Sequence, residues 1–233
     1  ADDTYPSSEK LYDWELGYQY TAPRLSLGVN LYYMKYKDQL VPTGMVNDDS
    51  NALNTNVPDS YRRGVELSAS WRATGWFTVG ANATFSQNRI ENYVDALKDS
   101  PTYGKELGDM TIAYSPDVIA NAFLNFHHRG FEAVFHTQHV GKQYFTNNEN
   151  DALSLDAYCV TNLNLAYTFR TRSARSVRLG LLINNLFNAE YESNGYGYSY
   201  MDTWSGPAPV RIDEAYYFPQ APLNVLANVT VKF

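Results

Sequence analysis

Hydrophobic and polar residues alternate along most of this chain. Tyr12, Trp14, Leu16, Tyr18 and Tyr20 are interleaved with Asp13, Glu15, Gly17 and Gln19. A strict period of two describes a strand with one apolar and one polar face. A short connection at Ala22, Pro23 and Arg24 leads into Leu25, Leu27, Val29, Leu31 and Tyr33, which predicts a hairpin. The design recurs in Val65, Leu67, Ala69 and Trp71, a tight turn at Ala73-Thr74-Gly75, then Phe77, Val79, Ala81, Ala83 and Phe85. It recurs again from Val118 to Phe126, through His127-His128-Arg129-Gly130, into Ala133, Phe135 and Thr137. Leu163, Leu165, Tyr167 and Phe169 precede a basic turn, Arg170 to Arg175, and Val177, Leu179, Leu181 and Ile183 follow it. Val225, Ala227, Val229, Val231 and Phe233 close the chain, opposite Asn224, Asn228, Thr230 and Lys232.

Between these pairs lie polar stretches with neither period, which predict loops. They run from Asp38 to about Ser60, from Gln87 to Ser115 and through Asn147 to Asp151, and a further loop, the longest and an aromatic one, is expected from Asn188 to about Glu214. The reading gives about nine strands whose connections alternate between tight turns and long loops, as in outer-membrane barrels. Segments of roughly nine to eleven residues suit tilted strands crossing hydrocarbon. The expected fold class is therefore all-β, a transmembrane antiparallel up-and-down barrel with outer-membrane lipids around it. An odd strand number with open edges would expose unpaired backbone groups to lipid at several kcal/mol each, so further strands are expected before Ala1.

Composition sharpens this picture. Mean hydropathy is −0.42, and no stretch approaches the roughly 18 continuous apolar residues of a spanning helix. Alternating faces average to such a value in a membrane barrel. Twenty Tyr, 11 Phe and 4 Trp make 15% of the chain, and such rings favour the membrane-water boundaries. A net charge of −7 lacks the basic footprint a nucleic-acid partner requires. Cys159, alone, cannot form an internal disulfide and reads as a small filling side chain. No targeting segment is visible at Ala1, so the natural N-terminus is expected elsewhere.

Several stretches carry a family resemblance: Ser8 to Tyr18, Tyr33 to Gln39, Arg63-Gly64-Val65-Glu66-Leu67, and Tyr114-Ser115-Pro116. More specific are Val140-Gly141-Lys142-Gln143-Tyr144, and Asn184-Asn185-Leu186-Phe187-Asn188 followed by Tyr191. Tyr217-Phe218-Pro219 through Phe233 fits a last strand. Together, over residues 1–233, they resemble the C-terminal part of a TonB-dependent outer-membrane receptor, and Tyr191 to Tyr196 looks most like Bacteroidetes-type members. The resemblance implies the last nine or so strands of a 22-stranded barrel closed by a plug domain, with the plug and the segment contacting the TonB complex upstream. It implies import of a scarce solute such as an iron-siderophore, haem or cobalamin, with a surface lipoprotein as a possible partner. Val229, Val231 and Phe233 resemble the signal read by barrel-assembly machinery. Leu223 departs from the basic residue that many relatives place after the proline.

The candidate chemistry lies in the loops. Tyr196, Tyr198, Tyr200 and Trp204 could capture a ligand, since aromatics give large contact area at small entropic cost, or could pack among neighbouring loops. Asp48, Asp49, Ser50 and Asn51 are rich in oxygen but lack calcium-loop spacing. His127, His128, His136 and His139 lack metal-ligand spacing, and neither a metal nor a cofactor is expected. Glu15, Gln19, Asn30, Glu66, Asn82, Asn121, His136, Gln138, Asn162, Asn164 and Arg178 are expected to face the lumen and bond one another or the plug. No catalytic triad, phosphate loop or paired-acid motif supports an enzyme. The alternatives are a passive porin, a barrel enzyme of the outer membrane, or an adhesion barrel.

Overall fold

The computed structural model describes residues 6–46 and 52–233. The strands are β1 (Lys10–Thr21), β2 (Leu25–Val46), β3 (Ala52–Arg72), β4 (Phe77–Ile90), β5 (Met110–Thr111), β6 (Val118–His128) and β7 (Phe131–Val140). They continue as β8 (Gln143–Tyr144), β9 (Ser154–Leu155), β10 (Tyr158–Phe169), β11 (Ser176–Asn184), β12 (Glu192–Asp202), β13 (Val210–Pro219) and β14 (Asn224–Lys232). One antiparallel sheet runs β1-β2-β3-β4-β6-β7-β10-β11-β14, with β5 appended to β4. These are the nine strands that alternation predicts. The path is open, with β1 and β14 at its edges, and β1 is exposed along its whole length.

Two predicted loops are corrected. The stretch from Asp38 to Ser60 is mostly sheet, because β2 and β3 stay paired from Lys37↔Asp59 out to Val46↔Ala52, with a register shift after Pro42. Burial explains the difference: Val41 and Val57 pack with Ile90, Tyr93 and Ile112 into a core beyond the alternating segment, and such packing overrides the weak strand propensity of Asn and Asp. The stretch from Asn188 to Glu214 holds the β12–β13 hairpin, in register from Asn194↔Phe218 to Asp202↔Val210. The Asp48 to Asn51 cluster lies outside the described residues.

Register divides the sheet into two faces. On the polar face Asn30 lies opposite Glu66, and its Nδ2 donates to the carboxylates of Glu15 at 3.3 Å and Glu66 at 3.2 Å. Asn121 donates to Asn82 at 3.2 Å, Asn184 to Asn224 at 2.9 Å, and Arg178 makes two bonds of 2.8 Å to Glu132. Of the residues expected on the lumenal face, Glu15, Asn30, Glu66, Asn82, Asn121 and Arg178 thus bond across strands, and Leu182 and Leu226 share that face. On the apolar face Tyr12, Trp14, Tyr33 and Tyr61 form a chain of neighbouring rings at one end. At the other end Trp76, Phe77 and Phe126 cluster, and Tyr167 stacks on Phe169. Tyr61 and Trp71 are ten positions apart on β3. At ~3.3 Å per residue and a tilt of ~45° that spans about 23 Å, close to the ~25 Å apolar band of outer-membrane barrels.

The two ends differ in construction. Short turns join β1 to β2, β3 to β4, β6 to β7 and β10 to β11, all at one end. Arg129 and Gly130, at φ 48° and 87°, make the two-residue turn that matches strand twist. All four long connections leave the opposite end.

Candidate functional site

The long connections pack as one body around two side chains of the β7–β10 connection, Phe145 and Asn147, each 1% exposed. Asn147 Oδ1 accepts from the Ala113 amide at 2.7 Å, and its Nδ2 donates to the Pro42 carbonyl at 2.6 Å. One amide therefore ties the β7–β10 connection to the β4–β6 connection and to the upper part of β2. Glu149 accepts from both the backbone amide and the hydroxyl of Thr111, reinforcing the first tie. Phe145, Leu153 and Leu155 form a small core against Ala215 of β13.

The hairpin reaches this core because two of its residues are glycine. A Cβ on Gly195 would stand 2.7 Å from Phe145, and one on Gly197 would stand 2.9 Å from Phe145 and Leu153. The ring of Phe145 can lie on the backbone only where these side chains are missing. Tyr114 adds a bond from its hydroxyl to the Gly195 carbonyl at 3.4 Å, and β12 contacts β2 as well. The last connection is thereby folded over the β4–β6 and β7–β10 connections and against β2.

Period-two geometry sends the opposite face of the hairpin outward, and this face carries the predicted tyrosines. Tyr196 stacks on Tyr216 with centroids 4.9 Å apart, and Tyr198 lies 6.3 Å from Tyr216 and 6.4 Å from Tyr200. Phe218 extends the row at 6.1 Å from Tyr196. At its centre stands Glu214, directly opposite Tyr198. Its carboxylate accepts from Tyr198 at 2.6 Å, Tyr216 at 2.9 Å and Tyr200 at 3.1 Å. These donors, Tyr198 foremost, hold the Glu214 carboxyl below its ordinary range. The same bond pushes the Tyr198 phenol up, and Glu214 raises Tyr200 likewise. The result is a fixed anion framed by neutral rings, suited to a ligand offering hydrogen-bond donors or positive charge beside a flat surface.

Trp204 does not join this row. It is 92% exposed at the hairpin tip, where Asp202 accepts from the amides of Trp204 at 2.8 Å and Ser205 at 3.2 Å. A second concavity, of about 430 Å³, lies between the upper parts of β2 and β3 and the β4–β6 connection and is lined by Asn56, Pro58, Tyr93 and Tyr103 among others. Sequence reasoning missed Glu214, Tyr216, Phe145 and Asn147. The alternation of Tyr196, Tyr198 and Tyr200 was the available signal, since it implies a strand and hence a partner strand.

The remaining candidates are dispersed. His136 and His139 are separated by an odd number and point to opposite faces, and among the described residues no group of three potential ligands is placed to hold a metal. Cys159 is exposed opposite His139 on the apolar face. Val229 and Val231 lie on the exposed apolar face of β14, and Phe233 follows it at 94% exposure.

The Asn184 to Asn188 run acquires a physical role. Asn185, buried and left-handed at φ 51°, accepts through Oδ1 from the Ala189 amide and donates through Nδ2 to the Ala189 and Ala221 carbonyls. Its own amide donates to Asn162 at 2.9 Å, while Asn188 accepts from the Leu223 amide. The side chains thus fix the bend where β11 leads into β12 and β13 into β14.

The family described as TonB dependent receptor-like, beta-barrel, matches residues 4–186. Pesticin receptors of Yersinia enterocolitica and Yersinia pestis are 23% identical over 190 residues, which cover 81% of this chain and 26% of theirs. The chain thus spans about a quarter of the length of these curated relatives. The ferric yersiniabactin uptake receptor FyuA from Yersinia pestis superposes with a TM-score of 0.68 at 19% identity, covering 97% of this chain and 30% of that one. The copper transporter OprC gives 0.66 at 20%, covering 97% and 32%. The ferric-catecholate import receptor Fiu from K12 E. coli gives 0.64 at 18%, covering 95% and 27%. At these identities the superpositions establish shared fold.

Proposed function

Since this chain belongs to the TonB-dependent receptor β-barrel family, we propose that it supplies the last nine strands of an outer-membrane importer whose long connections face outward and capture a scarce solute. The observation that carries this reading is the outward tyrosine row centred on Glu214, held in place by packing of the hairpin on the β7–β10 connection. Such a surface is preorganised, so binding a ligand there loses little side-chain freedom. The polar face of the sheet becomes the lumenal wall, where a plug domain from the same polypeptide would meet Glu15, Asn30, Glu66 and Asn82. The remaining strands would pair with the open edges of β1 and β14, and energy would arrive through a TonB complex acting on the plug.

The relatives are named for siderophore, catecholate, citrate and copper transport, and for pesticin reception. For the present protein we favour a ferric chelate or a similarly polar, ring-bearing solute, because Glu214 offers an acceptor and the tyrosines offer flat contact. The deciding experiment is uptake of radiolabelled iron chelates, haem and cobalamin by a deletion strain carrying either the intact gene or Glu214→Gln with Tyr198→Phe. Energy-dependent uptake of one solute, restored by the intact gene and reduced at least tenfold in apparent affinity by the double variant, is expected. Unchanged uptake of every solute on deletion would refute the reading.

A further inference from the structure

The short-turn end carries a second constellation, remote from the tyrosine row. Three segments far apart in sequence converge there: Arg129 and Gly130, Thr168 to Ser176, and Lys232 with Phe233. They line an open groove of about 830 Å³ in which the charged groups are Arg129, Arg170, Arg175 and Lys232. All four are exposed, and among the described residues none forms an ion pair with a carboxylate. The nearby Arg178 is already neutralised by its two bonds to Glu132. Four cations without an ion pair thus share one groove on a chain whose net charge is −7.

The position of the groove identifies its ligand. Phe169 and Phe233 line it together with the cations, and Phe169 stacks on Tyr167 at 5.9 Å. Trp76, Phe77 and Phe126 cluster at the same end, on the apolar face. Aromatic rings at the edge of an apolar band mark the depth of lipid headgroups. Cations just beyond such rings meet phosphate, and basic residues near an anionic leaflet contribute about 1 kcal/mol each to binding it. We infer that the three arginines of this groove, Arg129, Arg170 and Arg175, bind the phosphate headgroup of an anionic glycerophospholipid in the leaflet at the short-turn end, with Phe169 and Phe233 against the lipid's apolar part.

This inference rests on the membrane-barrel reading and is independent of the transported solute. Its test is native mass spectrometry of the full-length receptor released from nanodiscs of phosphatidylethanolamine mixed with phosphatidylglycerol or with phosphatidylcholine. Wild-type receptor is expected to retain phosphatidylglycerol in preference to either zwitterionic lipid. Arg170→Gln with Arg175→Gln changes only the β10–β11 turn and should weaken retention about thirtyfold, from two cations at the leaflet value above. Arg129→Gln serves as the second variant, and heat-modifiable migration on gels confirms that each barrel is folded. Equal retention of all lipids by a folded receptor, or undiminished phosphatidylglycerol on the folded variants, overturns the lipid site while leaving the importer standing. Displacement of the lipid by millimolar inorganic phosphate overturns it in favour of a small-anion site. Failure of the full-length protein to enter nanodiscs overturns the membrane reading itself.

Discussion

Asn147 donates a hydrogen bond of 2.6 Å to the carbonyl of Pro42, 105 positions earlier in the chain. The same side chain accepts from Ala113 at 2.7 Å. The two bonds satisfy both ends of one buried amide and tie two separate connections to the upper part of β2. A surface built on such connections presents its ligand groups in one arrangement rather than many, which is what preorganisation for binding requires.

Replacing Asn147 should loosen those connections without disturbing the barrel. Asn147→Leu keeps the branched shape but strands the Ala113 amide and the Pro42 carbonyl, each at about 1–3 kcal/mol if it stays buried. Hydrogen exchange on the full-length receptor is expected to show faster exchange in residues 41–46, 110–115 and 143–155, with protection in β6, β7 and β10 unchanged. Uniform loss of protection throughout the sheet would mean that the amide supports the barrel itself.

Phe145→Ala should release the β12–β13 hairpin. The ring is buried among Leu153, Leu155 and the backbone of Gly195 and Gly197, and removing a buried Phe costs about 3–5 kcal/mol. Limited proteolysis should then cut within residues 192–219 at least tenfold faster than in the unmodified receptor. Gly197→Val should have the same effect from the other side of the contact, because its branched side chain competes with the ring for one space. Protease resistance retained in both variants would show that the hairpin is anchored elsewhere.

How much of this was legible in the sequence follows from where packing acts. The nine strands of the sheet could be read because each has one apolar and one polar face, and period two survives in residues such as Leu163, Leu165 and Tyr167. The upper parts of β2 and β3 could not, since Asn54, Thr55 and Asn56 are strand residues only through pairing with Leu40, Val41 and Pro42. Tyr196, Tyr198 and Tyr200 were recognisable as a group, yet the carboxylate that organises them comes from Glu214, across the hairpin. Trp204 resembled them in composition and differs in position, because it sits in the hairpin tip rather than on the strand.

The tyrosine row should respond to pH in a defined window. Glu214, held below its ordinary 4.5 by Tyr198 and Tyr216, contributes stability that is complete above about 4.5 and is lost as pH falls through its lowered value. Tyr198, raised from its ordinary 10.0 chiefly by Glu214, contributes stability that is complete below about 10 and is lost as pH rises through its raised value. Hydrogen exchange in residues 192–219, corrected for the intrinsic pH dependence, should therefore be slowest between those limits. Glu214→Gln should abolish the acid arm of the profile, and an acid arm that survives in that variant would assign it to another carboxylate.

Asn185 separates backbone strain from hydrogen bonding. Its φ of 51° is tolerated by asparagine and easier still for glycine, so Asn185→Gly relieves conformational cost while deleting the bonds to Ala189 and Ala221. Asn185→Ala deletes the same bonds and adds the cost of holding a non-glycine residue left-handed, about 1–2 kcal/mol. If the side-chain bonds set the bend between the β11–β14 pair and the hairpin above it, both variants should lower the unfolding midpoint of the purified receptor, alanine the more. If left-handed geometry alone sets it, glycine should match the unmodified protein and only alanine should fall. The buried side chain and its bonds to both sides of the bend argue for the first outcome, with each unsatisfied group costing about 1–3 kcal/mol.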